Sequence, residues 1–177
     1  MNITEDKKIL NVKIVKLNPY YDKRGFFSRF FCKKIFKKKN IFQNIKQINL
    51  SYNRSSQTFR GFHYQKKPFQ EKKFIFCVSG KIQLGLVDLR KKSKTFLNCY
   101  SKIISSKSNI GIYVPDMVAT SFLTLEPHTK IIYLMSSNYN SKYSAGLNYK
   151  DKNLNIKWIK KFKKISSKDT QLPFLEQ

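Results

Sequence analysis

Cysteine, histidine and acidic side chains are all scarce in this chain, and each shortage closes off a class of function. The three cysteines, Cys32, Cys77 and Cys99, are odd in number, widely spaced and never in a CxxC pair. They exclude a disulfide scaffold and read as reduced thiols, as in a cytoplasmic protein. Only two histidines are present, His63 and His128, so a histidine-rich metal site is not expected. No apolar run approaches the roughly 18 residues of a membrane span, and residues 1–6 lack the apolar core of a signal peptide, so no membrane partner is expected. A glycine-rich phosphate loop and a nucleophile elbow are missing too. With no internal repeat, linker or low-complexity segment, residues 1–177 are expected to form a single domain. What these absences leave is acid and base chemistry that needs neither metal nor cofactor.

Positive charge is what the chain has in excess. Thirty-six Lys and Arg against ten Asp and Glu give a net charge of +26, which suits an anionic partner such as a nucleotide, a nucleic acid or a membrane surface. Most of the charge is lysine, mixed with abundant Asn, Ile, Tyr and Phe, and a composition bias that fills solvated positions with Lys accounts for it equally well.

Short β-branched and aromatic segments recur along the chain. Residues 9–15 read as a first strand closed by Asn18-Pro19, and residues 21–27 as a polar turn running into aromatics. Residues 28–42 space Phe30, Phe31, Ile35 and Phe36 at near-helical intervals and predict a short helix. Residues 46–52 alternate, with Gln47, Asn49 and Ser51 on the wet face. Strands are then expected at 73–78, 81–89, 100–104, 110–114, 122–125 and 130–135, with His128 in a hairpin turn. The tail from Asn148 reads as irregular chain crossing the end of the barrel, with a helical turn near Trp158. Strands at about ten-residue intervals argue an all-β fold, a sandwich or barrel of the jelly-roll kind, with a few short helices.

The stretch Phe59-Arg60-Gly61-Phe62-His63-Tyr64-Gln65 concentrates chemistry, because it sets an arginine near a side chain whose charge changes near neutrality. In a regular strand Arg60 and His63 would lean to opposite faces unless Gly61 bends the chain.

Several separated motifs, in one order, resemble the dTDP-4-dehydrorhamnose 3,5-epimerase family. They are Asp22-Lys23-Arg24-Gly25-Phe26-Phe27, Gln47 to Asn53, Arg60 to Gln65, Lys73, Gly80, Val87 to Ser93, Tyr133, Tyr139, Gly146, Asp151, Trp158 and Ser167-Lys168-Asp169. The resemblance implies a cupin-type jelly roll (a double-stranded β-helix), a homodimer, and inversion of carbons 3 and 5 of a nucleotide-linked 4-keto-6-deoxy sugar. It assigns His63 as base, Asp169 as the carboxylate that orients it, Lys73 as the cation stabilising the enolate oxygen, and Tyr133 as the acid on the opposite face. Arg60, Gln47, Asn49 and Tyr139 match substrate-lining positions, while Arg24 and Phe27 match the segment that holds the nucleotide.

The chain departs from the family pattern at four places. Thr120 stands where histidine is usual, Leu84 where aspartate is usual, Arg29 and Ser144 where glutamate is frequent. Loss of the first two together suggests a polar pair given up as a unit, since keeping one alone would strand a buried polar group. Two other functions stay open on sequence: a related cupin that inverts one carbon, isomerises the keto group or takes a different sugar nucleotide, and a non-catalytic basic binding module on the same barrel. Nucleic acid is not the expected partner.

Overall fold

The computed structural model describes residues 1–42 and 44–175. Thirteen strands form two large antiparallel sheets and a hairpin. The six-stranded sheet holds β1 (Asn2–Glu5), β2 (Lys13–Lys16), β5 (Gln47–Asn53), β7 (Lys73–Ser79), β10 (Ile110–Val114) and β12 (Thr129–Met135), in the order β1-β2-β10-β7-β12-β5. The five-stranded sheet holds β6 (Phe59–Gln65), β8 (Lys81–Asp88), β9 (Cys99–Ser105), β11 (Val118–Thr124) and β13 (Ser144–Gly146), in the order β13-β6-β11-β8-β9. The hairpin is β3 (Tyr20–Asp22) with β4 (Gly25–Phe27). Two helices, α1 (Lys33–Lys38) and α2 (Ser167–Thr170), and one 3-10 turn, Ser141–Tyr143, complete the elements. This is the all-β jelly roll that the strand spacing predicts.

Strands such as β7 and β8 read as nearly unbroken apolar runs because both of their own faces are covered. Between the sheets, Ile75, Cys77, Ile82, Leu84, Leu86, Ile112, Phe122 and Ile131 form the barrel core. On the outer face of the six-stranded sheet, Phe74, Phe76 and Tyr113 pack under α1, which inserts Phe36 at 4.9 Å from the Phe74 ring. The outer face of the five-stranded sheet carries Phe59, Phe62, Val87, Ala119 and Leu123, and the C-terminal tail covers it. Phe162 stacks on Phe59 at 4.4 Å and Trp158 meets it edge-on at 5.3 Å.

Several local expectations are corrected. Residues 9–12 form a turn with Asn11 at φ 65°, and pairing starts only at Lys13. The N-terminal residues form β1, which the polar character of Asn2, Thr4 and Glu5 hides. Helix α1 is six residues rather than the span 28–42. No helical turn forms near Trp158, whose ring is committed to packing, and the tail's helix lies at Ser167–Thr170. On β5 Gln47, Asn49 and Ser51 do share one face, which lines open cavities and leaves Asn49 exposed, but the apolar face is not buried: Ile48, Leu50 and Tyr52 are 66%, 61% and 46% exposed.

Candidate active site

The bend anticipated at Gly61 is a β-bulge. Between β6 and β11, Thr120 sits opposite His63 and Phe122 opposite Arg60, so Ser121 alone faces two residues, Gly61 and Phe62. One extra residue cancels the alternation of the strand, and Arg60 and His63 consequently line the same cavities. The chain demands glycine here. Gly61 has φ +126°, and a Cβ on it would lie 2.5 Å from that of Ser121.

His63 finds its partner 106 residues away. Ser166 caps α2, its Oγ accepting from the Asp169 amide at 3.1 Å, and the short helix points Asp169 at β6. Asp169 is 3% exposed. Its Oδ1 lies 2.8 Å from His63 Nε2, and its Oδ2 accepts the Gly61 amide at 3.2 Å. Burial alone would push the Asp169 carboxyl up, but the bonds from His63, Gly61 and Ser166 hold it below the usual carboxylate range. An ionised carboxylate only accepts, so Nε2 is the nitrogen that presents a proton to Asp169, and in the neutral ring the lone pair a base requires is then on Nδ1.

The opposite sheet supplies the other two groups. Tyr133 on β12 lines an inner cavity of about 260 Å³ together with His63, Lys73, Arg60, Leu84 and Thr120. Burial pushes its phenol above the ordinary value, partly offset by Arg60 and Ser51, so it is a proton donor at neutral pH. Lys73 on β7 reaches across the barrel: its ammonium donates to Thr120 Oγ1 at 2.8 Å and to the His63 carbonyl at 3.0 Å, and pairs with Glu71 Oε1 at 3.2 Å. Burial pulls the Lys73 amine down while Glu71 works against that shift. A wider outer cavity of about 600 Å³ adjoins, lined by Gln47, Asn49, Arg60, Tyr139, Lys168 and others. A base with an orienting carboxylate, a buried cation and a neutral phenol on the far wall can remove a proton beside a carbonyl, hold the enolate oxygen and return a proton from the other side.

The model of the family described as dTDP-4-dehydrorhamnose 3,5-epimerase matches residues 6–177. The chain belongs to this family. Its members are isomerases, and several relatives match nearly the whole chain. A dTDP-4-dehydrorhamnose 3,5-epimerase of Sinorhizobium fredii is 32% identical over 168 residues, 94% of this chain and 86% of that one. The crystal structure of the Bacillus anthracis enzyme, with TDP and PPi bound, superposes with a TM-score of 0.94 at 33% identity, covering 98% of this chain and 99% of that one. The Legionella pneumophila enzyme, in complex with dTDP-4-keto-L-rhamnose, has a TM-score of 0.91 at 26% identity, over 98% and 92%.

Of the ten site residues expected from sequence, His63, Asp169, Lys73, Tyr133, Arg60, Gln47, Asn49 and Tyr139 line the two adjoining cavities of this epimerase-family chain. Arg24 and Phe27 do not. They sit on the β3–β4 hairpin, where Arg24 pairs with Asp22 at 2.6 Å and Phe27 is 67% exposed. Sequence reasoning gave no role to Lys168, Glu71 or Ser51, which also line the cavities. Adjacency to Asp169 was the available signal for Lys168; lysine is too common in this chain for Glu71 to stand out as a partner. Leu84 and Thr120 share the inner cavity: Leu84 is 1% exposed, and the Thr120 hydroxyl is bonded to Lys73 and to the His63 carbonyl. Among the described residues no three His, Cys, Asp or Glu side chains gather into a metal-binding group, and no helix is long and apolar enough to cross a membrane.

Proposed function

We propose that this chain epimerises a dTDP-linked 4-keto-6-deoxy sugar of the dTDP-4-dehydrorhamnose type at C3 and C5. The observation that carries the reading is His63 Nε2 held 2.8 Å from Asp169, on one wall of a cavity whose other wall holds Tyr133 and whose edge holds the Lys73 ammonium. Both C3 and C5 flank the C4 ketone, so one arrangement serves both centres. His63 Nδ1 takes the proton, electron density moves onto O4, Lys73 holds the resulting enolate, and Tyr133 delivers a proton to the opposite face, inverting the carbon. Arg60, with Gln47, Asn49 and Tyr139, lines the path to the sugar and diphosphate, a guanidinium being suited to anionic oxygens.

Arg24 and Phe27 enter this reading through a second copy of the chain. The outer face of edge strand β5 exposes Ile48, Leu50 and Tyr52, and the hairpin exposes Tyr20, Tyr21, Phe26 and Phe27 at 58–71%. Apolar surface of this kind is commonly covered by a partner, and a two-fold dimer is the commonest arrangement. In it the hairpin of one protomer offers Phe27 as a stacking surface for the partner's nucleotide base. A cytoplasmic location goes with three cysteines that are all unpaired.

Incubation with dTDP-4-keto-6-deoxyglucose in heavy water, followed by mass spectrometry and proton NMR, tests the reading. Deuterium enters at two carbons with inversion, and His63→Ala lowers exchange at both by about 10²- to 10⁴-fold. Exchange at one carbon only would replace it with the single-centre epimerase, and no exchange with any 4-keto sugar nucleotide would remove catalysis altogether. The change of the inner wall to Leu84 and Thr120 is what keeps the single-centre outcome in view.

A further inference from the structure

The ammonium of Lys73 has three N–H donors, and all three are taken. Glu71 Oε1 at 3.2 Å, the His63 carbonyl at 3.0 Å and Thr120 Oγ1 at 2.8 Å account for them. A lysine in this state has nothing left to offer a substrate oxygen, so one partner has to yield. The three are unequal. Glu71 has a side chain only 4% exposed, and moving the ammonium away would leave a buried carboxylate uncompensated. The His63 carbonyl is backbone, fixed in β6 opposite Gly146 and Thr120. Thr120 is neutral, its hydroxyl turns about one bond, and it already has a second engagement, donating to the His63 carbonyl at 3.3 Å. When Lys73 lets go of Thr120, that hydroxyl remains hydrogen-bonded and no buried polar group is stranded. Thr120 and Lys73 also face the same inner cavity, between Tyr133 and His63, where a reacting ketone has to lie.

We propose that Thr120 is the positioning residue that parks Lys73 in the empty site, and that the keto oxygen of the substrate displaces its hydroxyl from the ammonium. This rests on the epimerase reading above. Thr120 thus sets how much of the lysine's hydrogen-bonding capacity is spent before substrate arrives, and with it the affinity for a carbonyl group at that point. The other charged or titratable groups lining the cavities around Lys73 are Arg60, His63, Tyr64, Glu71, Tyr133, Tyr139, Lys168 and Asp169, and among them only His63, through its backbone carbonyl, is a partner of the Thr120 hydroxyl.

Thr120→Val keeps the shape and the β-branch and removes the hydroxyl; Thr120→Ser keeps the hydroxyl. In Thr120→Val the keto oxygen meets an N–H with no competitor. KM for the keto sugar nucleotide then falls by about 2- to 12-fold, as one net hydrogen bond allows, with kcat and the inhibition constant of dTDP, which has no keto oxygen, unchanged. In the unliganded protein the Lys73 amine, followed by NMR of ¹³C-labelled lysine and assigned with Lys73→Met, titrates at lower pH in Thr120→Val, because its charged form has lost an acceptor. Thr120→Ser restores both values. A KM that stays level or rises in Thr120→Val, a Lys73 titration that does not move, or identical behaviour of the Val and Ser variants overturns the proposal. If the unsubstituted protein exchanges no proton of any keto sugar nucleotide, the epimerase reading fails, and the NMR titration alone decides Thr120: a lower midpoint in Thr120→Val upholds the parking role and an unchanged one overturns it.

Discussion

Lys73 places an amine where its side chain is 7% exposed, beside a Glu71 side chain that is 4% exposed, and the two form an ion pair at 3.2 Å. Such a pair contributes little net stability when whole, yet losing one member leaves an uncompensated buried ion. Lys73→Met is therefore expected to lower unfolding free energy by about 3–5 kcal/mol in a urea titration, and adding Glu71→Gln in the same chain to recover most of the loss. Recovery of stability without recovery of turnover separates the structural from the catalytic part of the lysine. Asp169 makes the opposite case at acid pH. Its folded carboxyl lies below the usual range despite burial, so its contribution is present above the ordinary carboxylate pKa near 4 and is lost as pH falls through the lower folded value. The melting-temperature gap between the unsubstituted protein and Asp169→Asn should accordingly be largest near neutrality and close below about pH 4; a gap that does not change with pH would show that the carboxylate's charge is not what stabilises the site.

At the scale of elements, the bulge in β6 decides whether there is a site at all, because a regular strand would send Arg60 and His63 to opposite faces. Gly61→Ala is expected to cost about 3 kcal/mol or more, from the left-handed backbone and the clash together. Ser121→Gly should not rescue it, since Ser121 Cα and the Thr120 carbonyl would still stand 2.6 and 2.7 Å from the new Cβ; rescue, seen as a recovered urea midpoint, would mean that side-chain crowding alone excludes alanine. That a bend was needed at Gly61 is legible from the spacing of Arg60 and His63; that it is a bulge opposite Ser121 depends on pairing with a strand sixty residues on. Strand β5 shows the same limit. Its alternation and its wet polar face were legible, but the exposure of the other face was not, because the polar residues line open cavities and the apolar ones an uncovered edge. Likewise Asp169 reads on its own as a helix-start carboxylate in Ser166-x-x-Asp169, and only the fold carries it to His63.

The whole molecule combines a charge of +26 with an uncovered apolar edge, and the two act against each other. Joining two such chains through Ile48, Leu50 and Tyr52 gains from burial of apolar surface and loses from repulsion between like-charged bodies. Salt screens the repulsion, with a Debye length of about 8 Å at physiological ionic strength, and leaves the apolar term in place. Dimerisation measured by sedimentation equilibrium is thus expected to strengthen as salt rises from about 0.05 to 0.5 M. Leu50→Glu, which puts a charge in the centre of the β5 face, should hold the protein monomeric throughout and weaken dTDP binding, since each site then loses the Phe27 of the other copy. Nucleic-acid binding by the same positive charge would run the other way, weakening steeply over that range as counterions compete for the phosphates. One salt series on the unsubstituted protein therefore separates the two uses of the charge. Self-association that grows with salt, with no retained nucleic acid, assigns the lysines to a solvated surface that the dimer tolerates. Monomers at every salt, holding duplex or single strands only at the low end, would return the molecule to the basic binding module and leave Phe27 without a base to stack on.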